Sequence, residues 1–252
     1  MKTTAVSGYR VYNSQEIDKY LNEIKPLKYI RTNKKIQYAN IACSFDIETT
    51  SIVEDGEKGA LMYVWQLSID NNYIMGRTWG DFLYVYEKIV DYFSLNENKR
   101  LVIYVHNLSF EFQFMSNWFN WLKVFSIDSR KPVQAVTTDG VEFRCSYLLS
   151  GFSLSKLGDQ LIKYKANKKS GDLDYSKKRH SKTPLIDREL EYCIADIEVV
   201  TNYIKECIEN DGNITRIPLT KTGYVRNYCR ERCFMIPHGR KVIQNIITTE
   251  TL

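Results

Sequence analysis

The hydrophobic and polar positions of this chain fall into three patterns, and each predicts a different kind of element. Short, almost wholly apolar runs, "IACSFDIET" at 41–49 and "RLVIYVHN" at 100–107, predict buried strands. Residues 60–70 and 71–79 predict two strands joined through an Asp70-Asn71-Asn72 turn, and residues 123–128, 132–138 and 141–148 predict antiparallel strands. Apolar residues at helical spacing predict helices over 80–95, 108–122 and 185–210, the last capped near Asp187, with shorter ones over 153–162 and 14–24. The 14–24 helix should start at a Ser14 cap, with Glu16 and Asp18 in its first turn. Alternating strands and helices, with several strands adjacent in sequence, predict an α/β fold in which a mixed central sheet is flanked by helices. Residues 1–40 read as a basic N-terminal extension, 41–209 as the main domain, and 210–252 as a basic segment with no clear second core.

Composition narrows the class. Hydrophobic residues make up 44% of the 252, enough for a sizeable core. The 18 tyrosines offer flat rings and hydroxyls suited to bases or sugars, although any single Tyr is more often core or surface filling. A net charge of +5 permits a nucleic-acid partner without requiring one; the basic residues cluster at 25–35, 163–182 and 226–232. The six cysteines form no disulfide framework and no signal peptide precedes them, which fits a reducing cytoplasm. Cys229, Cys233 and His238 offer zinc only three ligands at a non-standard spacing. No apolar run approaches the length of a membrane span, so no membrane partner is expected.

The chemistry lies in three acidic stretches. Asp46 and Glu48 stand two apart on a strand and so share one face. In "YVHNLSFEF" (104–112) a strand ends at His106 and Asn107, and Glu111 opens the following helix. In "YCIAD" Tyr192 and Asp196 stand four apart, on one helix face, with Asp196 among apolar residues. Asp46, Glu48, Glu111 and Asp196 carry a formal charge of −4, which two divalent cations would neutralise. That is the arrangement of a two-metal nuclease, with ions about 3.5–4 Å apart. Oxygen ligands select Mg²⁺ or Mn²⁺ over zinc. The Tyr192 hydroxyl, one turn before Asp196, can orient an attacking water.

In order along the chain, "FDIET", "HNLSFE" and "YCIAD" resemble the three 3′→5′ exonuclease motifs of family B DNA polymerases, most closely the protein-primed phage branch. "GDLDYSKKR" (171–179) and "SLSKL" (153–157) resemble further stretches of that branch, and the likeness covers residues 41–205. The resemblance implies an RNase H-like (DnaQ-like) fold and a proofreading exonuclease domain over 41–209. It implies that Asp46, Glu48 and Asp196 bind metal, and that Tyr192 positions the water. It also implies that Thr49, His106, Asn107, Phe110, Ser153 and Leu154 hold the 3′ end of single-stranded DNA. Two positions depart from the branch. Glu111 stands where the family has Asp. Ser170 stands where the branch has a catalytic lysine, which leaves Lys169, one residue earlier, as the candidate.

No polymerase catalytic signature is present, and 218–230 resembles the segment that leads from the exonuclease toward the polymerase core. The expectation is therefore an exonuclease portion, either a split gene product that works with a separate polymerase-core chain or a piece cut from a longer polymerase, in the host cytoplasm if phage-encoded. The alternatives are a ribonuclease of the same fold, or a non-catalytic module that binds single strands or docks to a polymerase subunit. The four acids separate these readings, since without metal they would repel phosphate.

Overall fold

The computed structural model describes residues 4–6, 8–54, 56–166 and 177–235. In chain order its elements begin with β1 (Thr4–Val6), β2 (Tyr9–Asn13), α1 (Ile17–Glu23), β3 (Tyr29–Arg31) and β4 (Gln37–Ala39). The hairpin of β5 (Cys43–Glu54) and β6 (Glu57–Ile69) follows, then β7 (Asn72–Gly76), α2 (Trp79–Phe93), β8 (Lys99–Val105) and α3 (Leu108–Met115). Three strands come next, β9 (Trp121–Asp128), β10 (Lys131–Thr137) and β11 (Val141–Cys145). The chain closes with α4 (Ser146–Ser150), α5 (Leu154–Gln160), α6 (Asp187–Asp211) and α7 (Lys221–Met235).

The sheet runs β1-β2-β7-β6-β5-β8-β11-β10-β9, with β3 and β4 joined to it through β8. β5, β6 and β7 form an antiparallel meander, while β8 lies parallel to β5 on one side and to β11 on the other. From Leu101 to Val105 β8 is hydrophobic and buried because both of its faces are covered. Leu101, Ile103 and Val105 join the core that contains α1 and α2, and Val102 and Tyr104 join the one beneath α6. The turn between β6 and β7 is a two-residue one, Asp70-Asn71, with φ of 53° and 62°; paired left-handed residues match the twist of a tight hairpin.

Several expectations change. Residues 9–39, set apart in the sequence as an extension, place β2 beside β7 and β4 beside β8, and Ile17, Tyr20 and Leu21 are buried in the main core. The cap before α1 is Asn13, whose carboxamide accepts from the Gln15 N–H at 2.9 Å and closes a single 3₁₀ turn over Ser14–Glu16; Ser14 instead turns inward and donates to Asp81. The strand begun at 43 continues to Glu54 and returns as β6, well past the acidic motif. The helix expected over 108–122 stops at Met115. The aromatic residues beyond it pack on the sheet, with Phe119 and Trp121 against Phe143, and Trp121 opens β9 by pairing with Thr137. Residues 146–148 belong to α4 rather than to a strand. The C-terminal segment carries α7, which is tied to α6 by the Tyr224 hydroxyl donating to Asp211 at 2.6 Å.

One close approach in the sheet can be tested. Gly76 lies opposite Trp65, and a Cβ there would sit 2.3 Å from the fully buried indole, which is itself tied to the Thr78 carbonyl at 2.9 Å. Gly76→Ala is expected to destabilise the chain by about 1–3 kcal/mol through overpacking. Urea unfolding measures this, and an unchanged midpoint would mean that Trp65 can shift aside.

Candidate active site

β5 alternates its side chains between two environments. Phe45 and Ile47 enter the core on the α2 side, so Ser44, Asp46 and Glu48 face α6. Ser44 fixes that packing by donating to the Ile197 carbonyl at 2.9 Å and pairing with the Thr201 hydroxyl at 2.7 Å. Asp196 projects from the same stretch of α6. Ligand oxygens of Asp46, Glu48 and Asp196 all lie within 4.8 Å of one another, and Glu48 and Asp196 are buried. Directly after Glu48 the register with β6 shifts, so Glu48 pairs with Val64 and Thr49 with Met62, leaving Tyr63 as the bulged residue. Such a bulge bends the strand and re-aims the side chains beside it.

The fourth acid arrives from the neighbouring strand. β8 ends at Val105, which is paired with Phe45, and the chain then turns through Asn107 at φ 78°, a left-handed conformation that Asn tolerates better than most residues. This turn starts α3 and brings Glu111, buried in its first turn, alongside Asp46. Burial and then the charge of Asp46 hold the Glu111 carboxyl well above its ordinary value. Its Oε2 is buried and makes no hydrogen bond. Cys193 lies beneath the cluster. Burial, followed by the charges of Glu48, Asp46 and Asp196, raises its thiol well above the usual range.

The other expected residues are distributed around this centre. Tyr192 is buried on α6, one turn before Asp196. A pocket of about 140 Å³ is lined by Asp46 and Asp196 together with His106, Leu154, Phe45, Ile197 and Val200. Thr49 is half-buried at the bulge, while Asn107 and Phe110 are exposed at the start of α3. Ser153 is exposed at the start of α5, and only its neighbour Leu154 lines the pocket. Lys169 and Ser170 lie outside the described residues, as does His238; Cys229 and Cys233 sit on α7.

Other residues join the site without a sequence signal. Gln66 on β6 lies opposite Asp46 and donates to its Oδ2 at 2.8 Å. Ser146 Oγ is 3.1 Å from His106 Nδ1, and the exposed Tyr147 ring meets His106 edge-on at 5.7 Å. Both follow β11, which lies parallel to β8. The basic loop after 176 is pinned beside the bulge. Its Arg179 pairs with Glu189 at 2.5 Å, donates its backbone N–H to Thr50 at 3.2 Å, and lies 5.7 Å from the centre of the Tyr63 ring. From the other side Arg77 holds the His180 and Thr183 carbonyls at 3.0 and 2.7 Å.

No protein-family model matches the chain, and no curated protein sequence does. Among solved structures, phi29 DNA polymerase bound to primer–template DNA superposes with a TM-score of 0.54 at 17% identity, over 68% of this chain and 31% of the polymerase. An orthorhombic crystal form of the same polymerase gives 0.53 at 17%, over 72% and 32%. The chain thus spans about a third of the polymerase's length. The shared architecture is the RNase H-like (DnaQ-like) α/β fold, a mixed central sheet flanked by helices, as the motifs implied. Among the described residues no helix is long and apolar enough to cross a membrane.

The burial of Glu111 generates a prediction. Because its folded carboxyl keeps a proton to higher pH than the unfolded one, stability falls as pH rises above the ordinary value of 4.5. In chelator at pH 8, Glu111→Gln is expected to raise Tm, by about 2–4 °C for each kcal/mol of relieved repulsion. Added Mn²⁺ should stabilise the parent more than the variant. A lower Tm for the variant in chelator would contradict this reading.

Proposed function

We propose that the chain is a metal-dependent 3′→5′ exonuclease that removes nucleotides from the 3′ end of single-stranded DNA by two-metal-ion hydrolysis. The observation that carries this reading is the meeting of Asp46, Glu48 and Asp196 within 4.8 Å, on a fold shared with part of a DNA polymerase. The donor set suits Mg²⁺ or Mn²⁺. It is made of the carboxylate oxygens of Asp46, Glu48 and Asp196, and Glu111 adds a buried oxygen with no hydrogen bond. In this reading Asp46, Glu48, Glu111 and Asp196 hold the ions, which supply Lewis acidity and charge neutralisation at the scissile phosphodiester. The position of Glu111 against Asp46 supports its inclusion, its extra methylene notwithstanding.

The chain's own groups do the rest. Tyr192 directs its hydroxyl at the attacking water and sets its line of approach. Thr49, His106, Asn107, Phe110, Ser153 and Leu154 hold the terminal nucleotides, with His106 and Leu154 on the walls of the pocket beside the acids. Lys169 is the candidate for the lysine that assists catalysis. The likeness to phi29 DNA polymerase, one solved form of which carries single-stranded DNA, supports a DNA substrate. It also supports a role as the proofreading part of a family B replication polymerase.

End-labelled single-stranded DNA and RNA, each incubated with the chain in Mg²⁺, Mn²⁺ or chelator, test the reading. DNA should shorten stepwise from its 3′ end only with metal. Cleavage that persists in chelator overturns the metal mechanism, and faster cutting of RNA replaces the deoxyribonuclease with a ribonuclease. Tyr192→Phe should lower kcat on the order of a hundredfold with little change in DNA affinity, because its hydroxyl acts on the water in the transition state. An unchanged single-turnover rate with weakened binding would place Tyr192 among the DNA contacts instead.

A further inference from the structure

We infer that Gln66 is a positioning residue for Asp46: its side-chain amide fixes which Asp46 oxygen faces the acid cluster. The inference rests on the metal-binding role proposed above. Gln66 is fully buried on β6, directly across the hairpin from Asp46. Its Nε2 donates to Asp46 Oδ2 at 2.8 Å, and its Oε1 is buried without a hydrogen bond.

That combination is not what packing selects. A buried carbonyl oxygen with no donor costs stability, and an apolar side chain of similar volume would avoid the cost. Val64, which pairs with Glu48 on the same face of β6, shows that this face accepts such a residue. What an apolar side chain cannot supply is an N–H aimed at Asp46. The amide orientation is itself determined: the inverted amide would set Oε1 against a carboxylate oxygen, two acceptors facing each other.

Charge explains why the donor is a neutral amide. A lysine or arginine at this position would act as a resident counter-ion and compete with bound cations. A glutamate would add a fifth carboxylate to the repulsion. Glutamine ties down Oδ2 and restrains rotation of the Asp46 carboxylate while leaving the negative charge of the cluster intact. Partners of this kind behind a ligating carboxylate typically contribute 10–100-fold to metal affinity.

The test is a Mn²⁺ titration of the full chain, with free Mn²⁺ followed by electron paramagnetic resonance, on the parent and on Gln66→Met and Gln66→Leu. The Tm of each in chelator is measured alongside. The expected result is an affinity about 10–100-fold weaker in both variants, with a Tm equal to or above that of the parent. Three results would overturn the inference: an unchanged affinity; a fall in Tm that accompanies the lost affinity, which makes Gln66 structural; or failure of both variants to fold, which does the same. A parent that binds no Mn²⁺ removes the metal reading itself, and this inference falls with it. The titration therefore separates failure of the inference from failure of the reading beneath it.

Discussion

Mutual repulsion among carboxylates gathered where β5, α3 and α6 meet is the constraint on which the rest of this structure depends. Asp46, Glu48 and Asp196 stand within 4.8 Å of one another, and Glu111 is buried against Asp46. Close like charges in a poorly solvated site raise each other's pKa and oppose folding. The arrangement persists because each acid is carried by an element anchored elsewhere. β5 has Phe45 and Ile47 in the core on its far side, β8 is buried on both faces, and α6 is locked by Ile194, Ile197, Val200 and Ile204. Stability supplied by that scaffold offsets the repulsion at this centre.

The sheet order converts this constraint into a site. Because β8 runs parallel to β5 and its carboxyl end, Val105, lies opposite Phe45, the loop leaving β8 passes the acids that follow on β5. Because β11 runs parallel to β8, the start of α4, which follows β11 directly, falls next in line, which is why Ser146 and Tyr147 reach His106. Open α/β sheets gather ligands at such carboxyl ends for the same reason. On the other flank, the bulge after Glu48 and the clamp of Arg179 and Arg77 set a basic loop beside the acidic centre. Negative charge for cations and positive charge beside it are the two requirements of a site that handles a phosphodiester.

The scaffold also shows why aromatic residues are so frequent here. Phe45, Trp65, Phe82, Phe119, Trp121 and Phe143 touch in a chain of ring contacts across the α2 side of the sheet, under the strand that carries Asp46 and Glu48. Large rings fill that layer with few rotatable bonds, which holds the strand at a fixed height. The fullness of this layer, Gly76 against Trp65 included, is part of how the acids keep their positions.

What the sequence determined by itself is what backbone geometry repeats locally. A period of two placed Asp46 and Glu48 on one face of a strand, a spacing of four placed Tyr192 and Asp196 on one face of a helix, and an unbroken apolar run marked β8 as buried on both sides. The charge count of the four acids then pointed to cations. Only the tertiary structure decided the contacts between residues far apart in the chain. Gln66 meets Asp46 through hairpin register, and a one-residue slip would turn it away. The left-handed turn at Asn107 aims α3, and the aromatic residues after Met115 join a strand because partners on β10 and β11 were waiting for them. Strands from residues 9–39 complete the sheet for the same reason. Periodicity is a property of a few consecutive residues, whereas register, edge pairing and the aim of a turn depend on surfaces that exist only once the distant segments have packed.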